Sequence, residues 1–350
     1  MPTSSPWWQP HIHADRRSFL LGRNRIRDAL RHWFASQGFT EVDPCCLQVS
    51  PGNEAHLHAF STEALATDGC SLGRLHLHTS PEFAMKKLLA AGSGDIVAFA
   101  HVFRNRERGP LHHPEFTMIE WYRTHADYTA LMADCSEILG MAAEAAGTRR
   151  LTWRTWSADP FQAPLRLSLA EAFAREKIDL LATVAPDGRT DRDALAAAAK
   201  EAGIRLSADD GWGDIFSRVL VERVEPGLGS GRATILYDYP IPEAALARPS
   251  PNDPRVAERF ELYACGVELA NAFGELTDPE EQRRRFDADM DEMQRIYGYR
   301  YPLDEELLKA LPLMPSSAGI ALGFDRLAML ATAAPSIEHV QWAPVAQESR

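Results

Sequence analysis

The stretch from Phe103 to Arg123, FRNRERGPLHHPEFTMIEWYR, decides how this chain is read. Its first half is an arginine-rich turn (Arg104, Arg106, Arg108) that breaks at Gly109-Pro110. The chain resumes as Phe116-Thr117-Met118-Ile119-Glu120-Trp121-Tyr122, whose β-branched and aromatic side chains favour a strand. Period-two alternation puts Glu120 and Tyr122 on one face of that strand. Guanidinium groups in a loop suit phosphate oxygens, and a carboxylate beside a phenol suits an ammonium group. The segment points to nucleotide chemistry on an amine-bearing substrate. A solvated basic turn before an ordinary strand fits the same residues, so support has to come from elsewhere in the chain.

Working outward, Ile96 to Val102 is an apolar strand leading straight into the turn. Before it, Arg74 to Thr79 alternates Leu and His as a strand. Ser80-Pro81-Glu82 then opens a helix through Met85, Leu88 and Leu89 to Gly92, with proline at home in the first turn. Earlier still, Ile26, Leu30, Trp33 and Phe34 follow helical spacing that Gly38 can end, and Thr40-Glu41-Val42 is a short strand entering Pro44. Residues 131–225 read as mostly helical and alanine-rich, with loops at Ala185-Pro186-Asp187-Gly188 and Asp209-Asp210-Gly211. Ala233 to Tyr239 is a strand, Phe260 to Phe273 a hairpin, Glu280 to Tyr297 a charged amphipathic helix, and Ser317 to Ala334 a strand-turn-helix. The pattern predicts an α+β fold, a largely antiparallel sheet flanked by helices.

Composition narrows the classes. At 350 residues, 45% hydrophobic and 25% charged, the chain is globular. No apolar run approaches the roughly 20 residues of a membrane span, and the start lacks the apolar core of a signal peptide. The five cysteines are odd in number and form no CxxC pair, which fits a reducing compartment and offers no zinc framework. A cytoplasmic protein is the expectation. A net charge of −12 argues against an extended basic groove for nucleic acid, though not against a local ATP site.

Two further segments carry chemistry. In Phe260 to Glu275, FELYACGVELANAFGE, the residues Glu261, Glu268 and Glu275 recur every seven positions. That is helical spacing, but Gly266, Gly274 and Val267 argue for strands and a turn. Carboxylates on a strand pair suit Mg²⁺, which takes oxygen ligands and bridges phosphates; three solvated glutamates on a hairpin fit as well. In Gly319 to Leu327, GIALGFDRL, glycines permit close backbone approach, and Arg326 falls in the first turn of a helix, where a cation is disfavoured unless it has an anionic partner. Gly227-Leu228-Gly229-Ser230-Gly231 has the wrong context for a dinucleotide loop. His56/His58 and His76/His78 are strand neighbours without a third ligand, so zinc is a minor reading; His112-His113, beside the arginines, are the histidines expected to act.

In order, these three segments resemble the class II aminoacyl-tRNA synthetases, specifically the lysyl catalytic domain, over nearly the whole chain from about Phe19. No anticodon-binding barrel precedes the core in this sequence, a feature that resembles the stand-alone ligases attaching (R)-β-lysine to a lysine of elongation factor P. The resemblance implies a flexible tail over residues 1–17, a synthetase-like catalytic domain over 18–350, and a homodimer. Its substrates would be ATP with Mg²⁺, (R)-β-lysine or lysine, and elongation factor P; neither tRNA nor a membrane is expected. It assigns Arg104 to the α-phosphate and Arg326 to the γ-phosphate, as the catalytic cations, and Phe116 to stacking on adenine. His112 and His113 would lie near the triphosphate or adenine, with Asn105, Arg106, Glu107, Leu269 and Gly323 completing the ATP site. Glu261 and Glu268 would bind Mg²⁺. Ser80, Pro81 and Glu82 would face the substrate's amine end, Glu120 and Asn271 would orient it, and Tyr122 with Glu275 would take the distal ammonium, over a floor containing Ala321. Two positions depart from the lysyl pattern: Arg106 stands where Glu is usual, with Glu107 next, and the interface proline comes one place early at Pro44, with Cys45 in its position. Ala321 replaces the usual Gly, as in the β-lysine ligases.

Overall fold

The computed structural model describes residues 6–244 and 246–346. Its backbone is an eight-stranded sheet of β1 (Thr40–Glu41), β2 (Ile96–Phe103), β3 (Glu115–Thr124), β4 (Leu165–Ser168), β5 (Thr234–Pro240), β6 (Val256–Ala264), β7 (Val267–Gly274) and β8 (Ser317–Gly323). In space the strands run β1-β2-β3-β8-β7-β6-β5-β4. The six central strands pair antiparallel; β1 on β2 and β4 on β5 are parallel. The helices are α1 (Pro10–Ser36), α2 (Glu82–Ala90), α3 (Thr129–Ala146), α4 (Leu169–Arg175), α5 (Arg192–Glu201), α6 (Trp212–Val219), α7 (Pro279–Tyr297), α8 (Glu305–Ala310) and α9 (Phe324–Thr332). This is the expected α+β fold. None of the helices among the described residues is long and apolar enough to cross a membrane.

Alternation along the central strands separates core from site. Ile119 and Trp121 of β3, Ile320 and Leu322 of β8, and Phe260 and Leu262 of β6 all bury against α1, α3 and α9. Each such side chain contributes about 1.5–3 kcal/mol on burial. Trp121 satisfies its indole N–H on Asp134 at 3.0 Å, a carboxylate that also receives Arg123 at 2.8 Å through two nitrogens. The intervening residues, Glu120, Tyr122, Gly319, Ala321 and Glu261, therefore face the other side of the sheet. Arg23 of α1 donates to Asp325 at 2.9 Å, and Asp325 accepts the Thr117 amide at 3.0 Å. These bonds fix the start of α9 against β3.

Two expectations need correction. The segment over 1–17 is not a tail throughout: α1 starts at Pro10, the favoured first helical position, and Arg16 is buried with its guanidinium on the carbonyls of Glu338 and Gln341. Residues 1–5 of that expected tail lie outside the described residues. The middle region carries strands as well as helices, at Leu151–Trp153, Trp156–Asp159 and β4. Its helical part, α4 to α6, has its own core against β4 and β5, where Phe173, Phe216 and Trp212 stack with centroids 5.4 Å apart and rings within 8° of parallel.

Candidate active site

Register builds the site floor. Glu120 on β3 pairs with Ala321 on β8, Ala321 with Asn271 on β7, and Asn271 with Glu261 on β6. The next row is Tyr122, Gly319, Phe273 and Arg259. Directly opposed residues share a face, so both rows line the side away from α1, α3 and α9. Gly319 is required there, because a Cβ would sit 2.3 Å from both the Tyr122 ring and the Glu275 carboxylate. A bulge between Leu262 and Tyr263 sets Glu268 opposite Tyr263. Without that extra residue, Glu268 and Asn271, three apart, would point to opposite faces; the bulge brings Glu268 to the face of Glu261. The same displacement leaves Leu269 buried among the core side chains, so only its backbone is available to a ligand.

One end of this floor is acidic and enclosed. The Tyr122 hydroxyl donates to Glu120 at 2.6 Å, and Ser80 donates to the other Glu120 oxygen at 2.5 Å. Ser80 also accepts the Glu82 amide at 3.1 Å, which starts α2 just after Pro81. From α2, Lys86 reaches Glu82 at 2.7 Å and Glu275 at 2.6 Å. Burial pushes Glu120 up to about 8, with Glu82 adding to the rise, and pushes Glu275 up to about 7 against the pull of Lys86. Tyr122 bonds Glu120 and not Glu275, whose ion-pair partner is Lys86. Lys86 escaped the sequence reading; its one signal was the i,i+4 spacing from Glu82 on a helix whose Met85 and Leu89 are buried.

The other end is basic. The Arg104 guanidinium lies 5.5 Å over the Phe116 ring, and its Nε donates to the Thr79 carbonyl at 3.3 Å. Arg326, third residue of α9 after Gly323, donates to the carbonyls of Leu111 at 3.1 Å and Glu268 at 2.9 Å, and to His112 Nε2 at 2.8 Å. The anionic partner anticipated for Arg326 is the Glu268 carboxylate, a loose ion pair at 3.9 Å. His112 must offer a lone pair to Arg326, and burial together with that guanidinium lowers its pKa. His113 does not join this cluster. It is buried, with Nδ1 2.5 Å from the Glu115 carbonyl and Nε2 accepting the Val345 amide at 3.3 Å, and serves packing.

The arginine-rich turn departs from the lysyl pattern in an interpretable way. The Asn105 amide donates to the His58 carbonyl at 2.6 Å, and its side chain accepts the Arg106 amide at 2.8 Å. Arg106 then adopts a left-handed φ of 66°, and its guanidinium lies 5.4 Å over Tyr297. Glu107 follows, and its carboxylate counters the fall in the His112 pKa, so its charge acts on the arginine side of the site.

Between the two ends stand Glu261 and Glu268. Glu261 accepts from Arg259 at 2.7 Å and from the Tyr263 hydroxyl at 2.6 Å. Glu268 keeps 43% of its side chain exposed, and enclosure by the cleft plus the neighbouring Glu261 push it up to about 7. Repulsion between two carboxylates that the neighbouring arginines relieve only in part fits a divalent cation. Among the described residues no three His, Cys, Asp or Glu converge on one point, so such an ion would take its other ligands from phosphate and water. The four histidines of the minor zinc reading are engaged elsewhere: His56 with Tyr297 at 3.0 Å, His58 with Tyr299 at 2.5 Å, His76 with Ser61 at 3.0 Å, and His78 with the His101 carbonyl at 2.8 Å. Gly229 is a packing glycine, since a Cβ there would meet the Ala264 backbone at 2.6 Å.

This arrangement, an acidic amine pocket and a paired-arginine end on one antiparallel sheet, has close relatives. Curated proteins named elongation factor P–(R)-β-lysine ligase match the chain at 38% identity over 339 residues in Enterobacter sp. (strain 638), 39% over 339 in Edwardsiella ictaluri, and 37% over 334 in Haemophilus influenzae (strain PittGG). Each alignment covers 95% of this chain and 96% of the relative. The family model for class II tRNA synthetases of the D, K and N type matches residues 10–347. The chain belongs to the class II tRNA synthetase family.

Proposed function

We propose that this protein is an ATP-dependent ligase that activates (R)-β-lysine, or lysine, as an adenylate and transfers it to a lysine of elongation factor P. The observation that carries this reading is the division of one sheet face into an acidic, enclosed end around Glu82, Glu120 and Glu275 and a cationic end around Arg104 and Arg326. Similarity to the named ligases along 95% of the chain supplies the acceptor.

In the first step a carboxylate oxygen of the amino acid attacks the α-phosphorus of ATP. The bond from that phosphorus to the bridging oxygen breaks, and pyrophosphate leaves. Arg104 sits beside Phe116, and would hold the α-phosphate while Phe116 stacks on adenine. Arg326, anchored by neutral carbonyls and only loosely paired with Glu268, would present its charge to the γ-phosphate. Positioned cations facing the developing charge supply most of the catalysis. Glu261 and Glu268 would hold Mg²⁺, which neutralises triphosphate charge. Ser80, Glu120, Tyr122 and Asn271 orient the amino acid, with Glu82 and Glu275 taking its ammonium charge. In the second step an acceptor ε-amine attacks the activated carbonyl carbon, and AMP leaves.

Exposed Leu47 and Val49, just after Pro44, support a homodimer built on that edge, and five unpaired cysteines support a reducing, cytoplasmic setting. Incubating the protein with ATP, (R)-β-lysine and elongation factor P should add one lysyl mass to the factor. Labelled amino acid on tRNA, with none on the factor, would overturn this reading.

A further inference from the structure

The acidic end contains one charge that the two-step reaction does not use. Lys86 has none of its side chain exposed, and its Nζ is bracketed by Glu82 at 2.7 Å and Glu275 at 2.6 Å. A buried ammonium is costly unless paired, and this one is paired twice. Burial works to lower its pKa, but Glu275 and Glu82 outweigh burial and hold it above the ordinary lysine range. It is therefore a permanent cation inside the pocket.

The charge count around it is specific. When all are ionised, Glu82, Glu120 and Glu275 contribute three carboxylates and Lys86 one ammonium, leaving two negative charges in this bonded cluster without a resident partner. The nearby cations are already paired, Arg248 with Glu258 at 2.6 Å and Lys87 with Asp304 at 2.7 Å. Tyr122 donates to Glu120 as a neutral phenol, and Glu54 and Asp289 line the adjoining wall with Glu82 as further carboxylates. A ligand with one ammonium would leave a carboxylate of this cluster uncompensated in a closed site, whereas one with two would neutralise the cluster.

We propose that Lys86 is the resident countercharge of the amine pocket, a positioning residue that pairs with both Glu82 and Glu275 and matches the pocket to a substrate bearing two ammonium groups. This rests on the reading above that an amino acid is activated here, and it deepens that reading by naming what selects the substrate's charge.

The test is calorimetric affinity for a diamino acid, and separately for Mg²⁺-ATP, across about pH 6 to 9 in the full-length protein and its variants. Lys86→Met keeps the volume and removes the charge. The carboxylates of the empty pocket should then hold their protons to a higher pH than in the wild type. The pH at which diamino-acid affinity levels off should move alkaline by about one unit or more, with nucleotide affinity within about twofold of wild type. Lys86→Met/Glu82→Gln removes both charges and restores the count of two, so its plateau should return to the wild-type pH or below; it also serves if the single variant does not fold. A folded Lys86→Met protein with an unmoved plateau, or a double variant whose plateau lies alkaline of wild type, would overturn the assignment. Wild-type protein that binds the diamino acid but performs no ATP–pyrophosphate exchange would instead defeat the catalytic reading and leave the charge assignment standing.

Discussion

The two ends of the site solve opposite electrostatic problems. At the amine end the carboxylates are sealed from water, and part of their charge is already neutralised by Lys86. At the phosphate end Arg326 is oriented by carbonyls that take its hydrogen bonds without cancelling its charge, and Glu268 stays partly open. An ammonium is small and strongly hydrated, so recognising it takes enclosure and a set charge balance. A triphosphate brings several charges of its own and a metal ion, so recognising it takes unspent cations in an open cleft. The contrast predicts that damage at either end stays at that end.

Glu275→Gln should give the largest effect. It removes a buried carboxylate and leaves Lys86 with Glu82 alone, so amino-acid affinity should fall by about 2–5 kcal/mol while ATP affinity holds. Separate KM values in pyrophosphate exchange check this; loss of ATP binding with normal lysine binding would exchange the roles of Glu268 and Glu275. Arg326→Ala should be the mirror case. Adenylate formation should drop by about 100- to 1,000-fold with little change in thermal stability, and a rate within a few-fold of wild type would remove Arg326 from the chemistry.

Ala321 tests the floor between the ends. It lies in the row between Glu120 and Asn271, and on the proposed function its methyl would take space that α-lysine needs beside its α-carbon. Ala321→Gly should raise activity with α-lysine relative to β-lysine, within the roughly 10–200-fold that one methylene-sized difference confers. An unchanged ratio in exchange kinetics would move specificity to another wall.

The pH dependence should separate the ends most gently. Glu275 near 7 and Glu120 near 8 are partly protonated in the empty pocket at neutral pH, and an ammonium needs them ionised. Amino-acid KM should therefore fall as pH rises through that range, by up to about tenfold per unit for each proton released, while ATP KM does not follow. A shared pH profile for both substrates would erase the distinction.

Much of this was legible along the chain. The β3 segment, the β6–β7 hairpin and the β8–α9 turn each announce themselves because alternation and turn residues are local properties. What was not legible depended on distant or sub-residue geometry. Lys86 is bracketed only once Glu275, distant in the chain, joins Glu82 at its ammonium. The bulge that turns Glu268 toward Glu261 is a register fact with no composition of its own. His113 was grouped with His112 by adjacency, yet neighbours on an irregular segment diverge, and its ring is held by the Val345 amide. The start of α1 was hidden because Arg16 reads as a surface residue until the carbonyls of Glu338 and Gln341 cover it.

The most direct measurement is ATP–pyrophosphate exchange by the wild-type protein with (R)-β-lysine and lysine, set against norleucine, which has the lysine chain without its distal amine. The account predicts exchange with the diamino acids and essentially none with norleucine, because only a second ammonium satisfies the pocket around Glu82, Glu120 and Glu275. Exchange that proceeds equally with norleucine, or fails with every diamino acid, would contradict it.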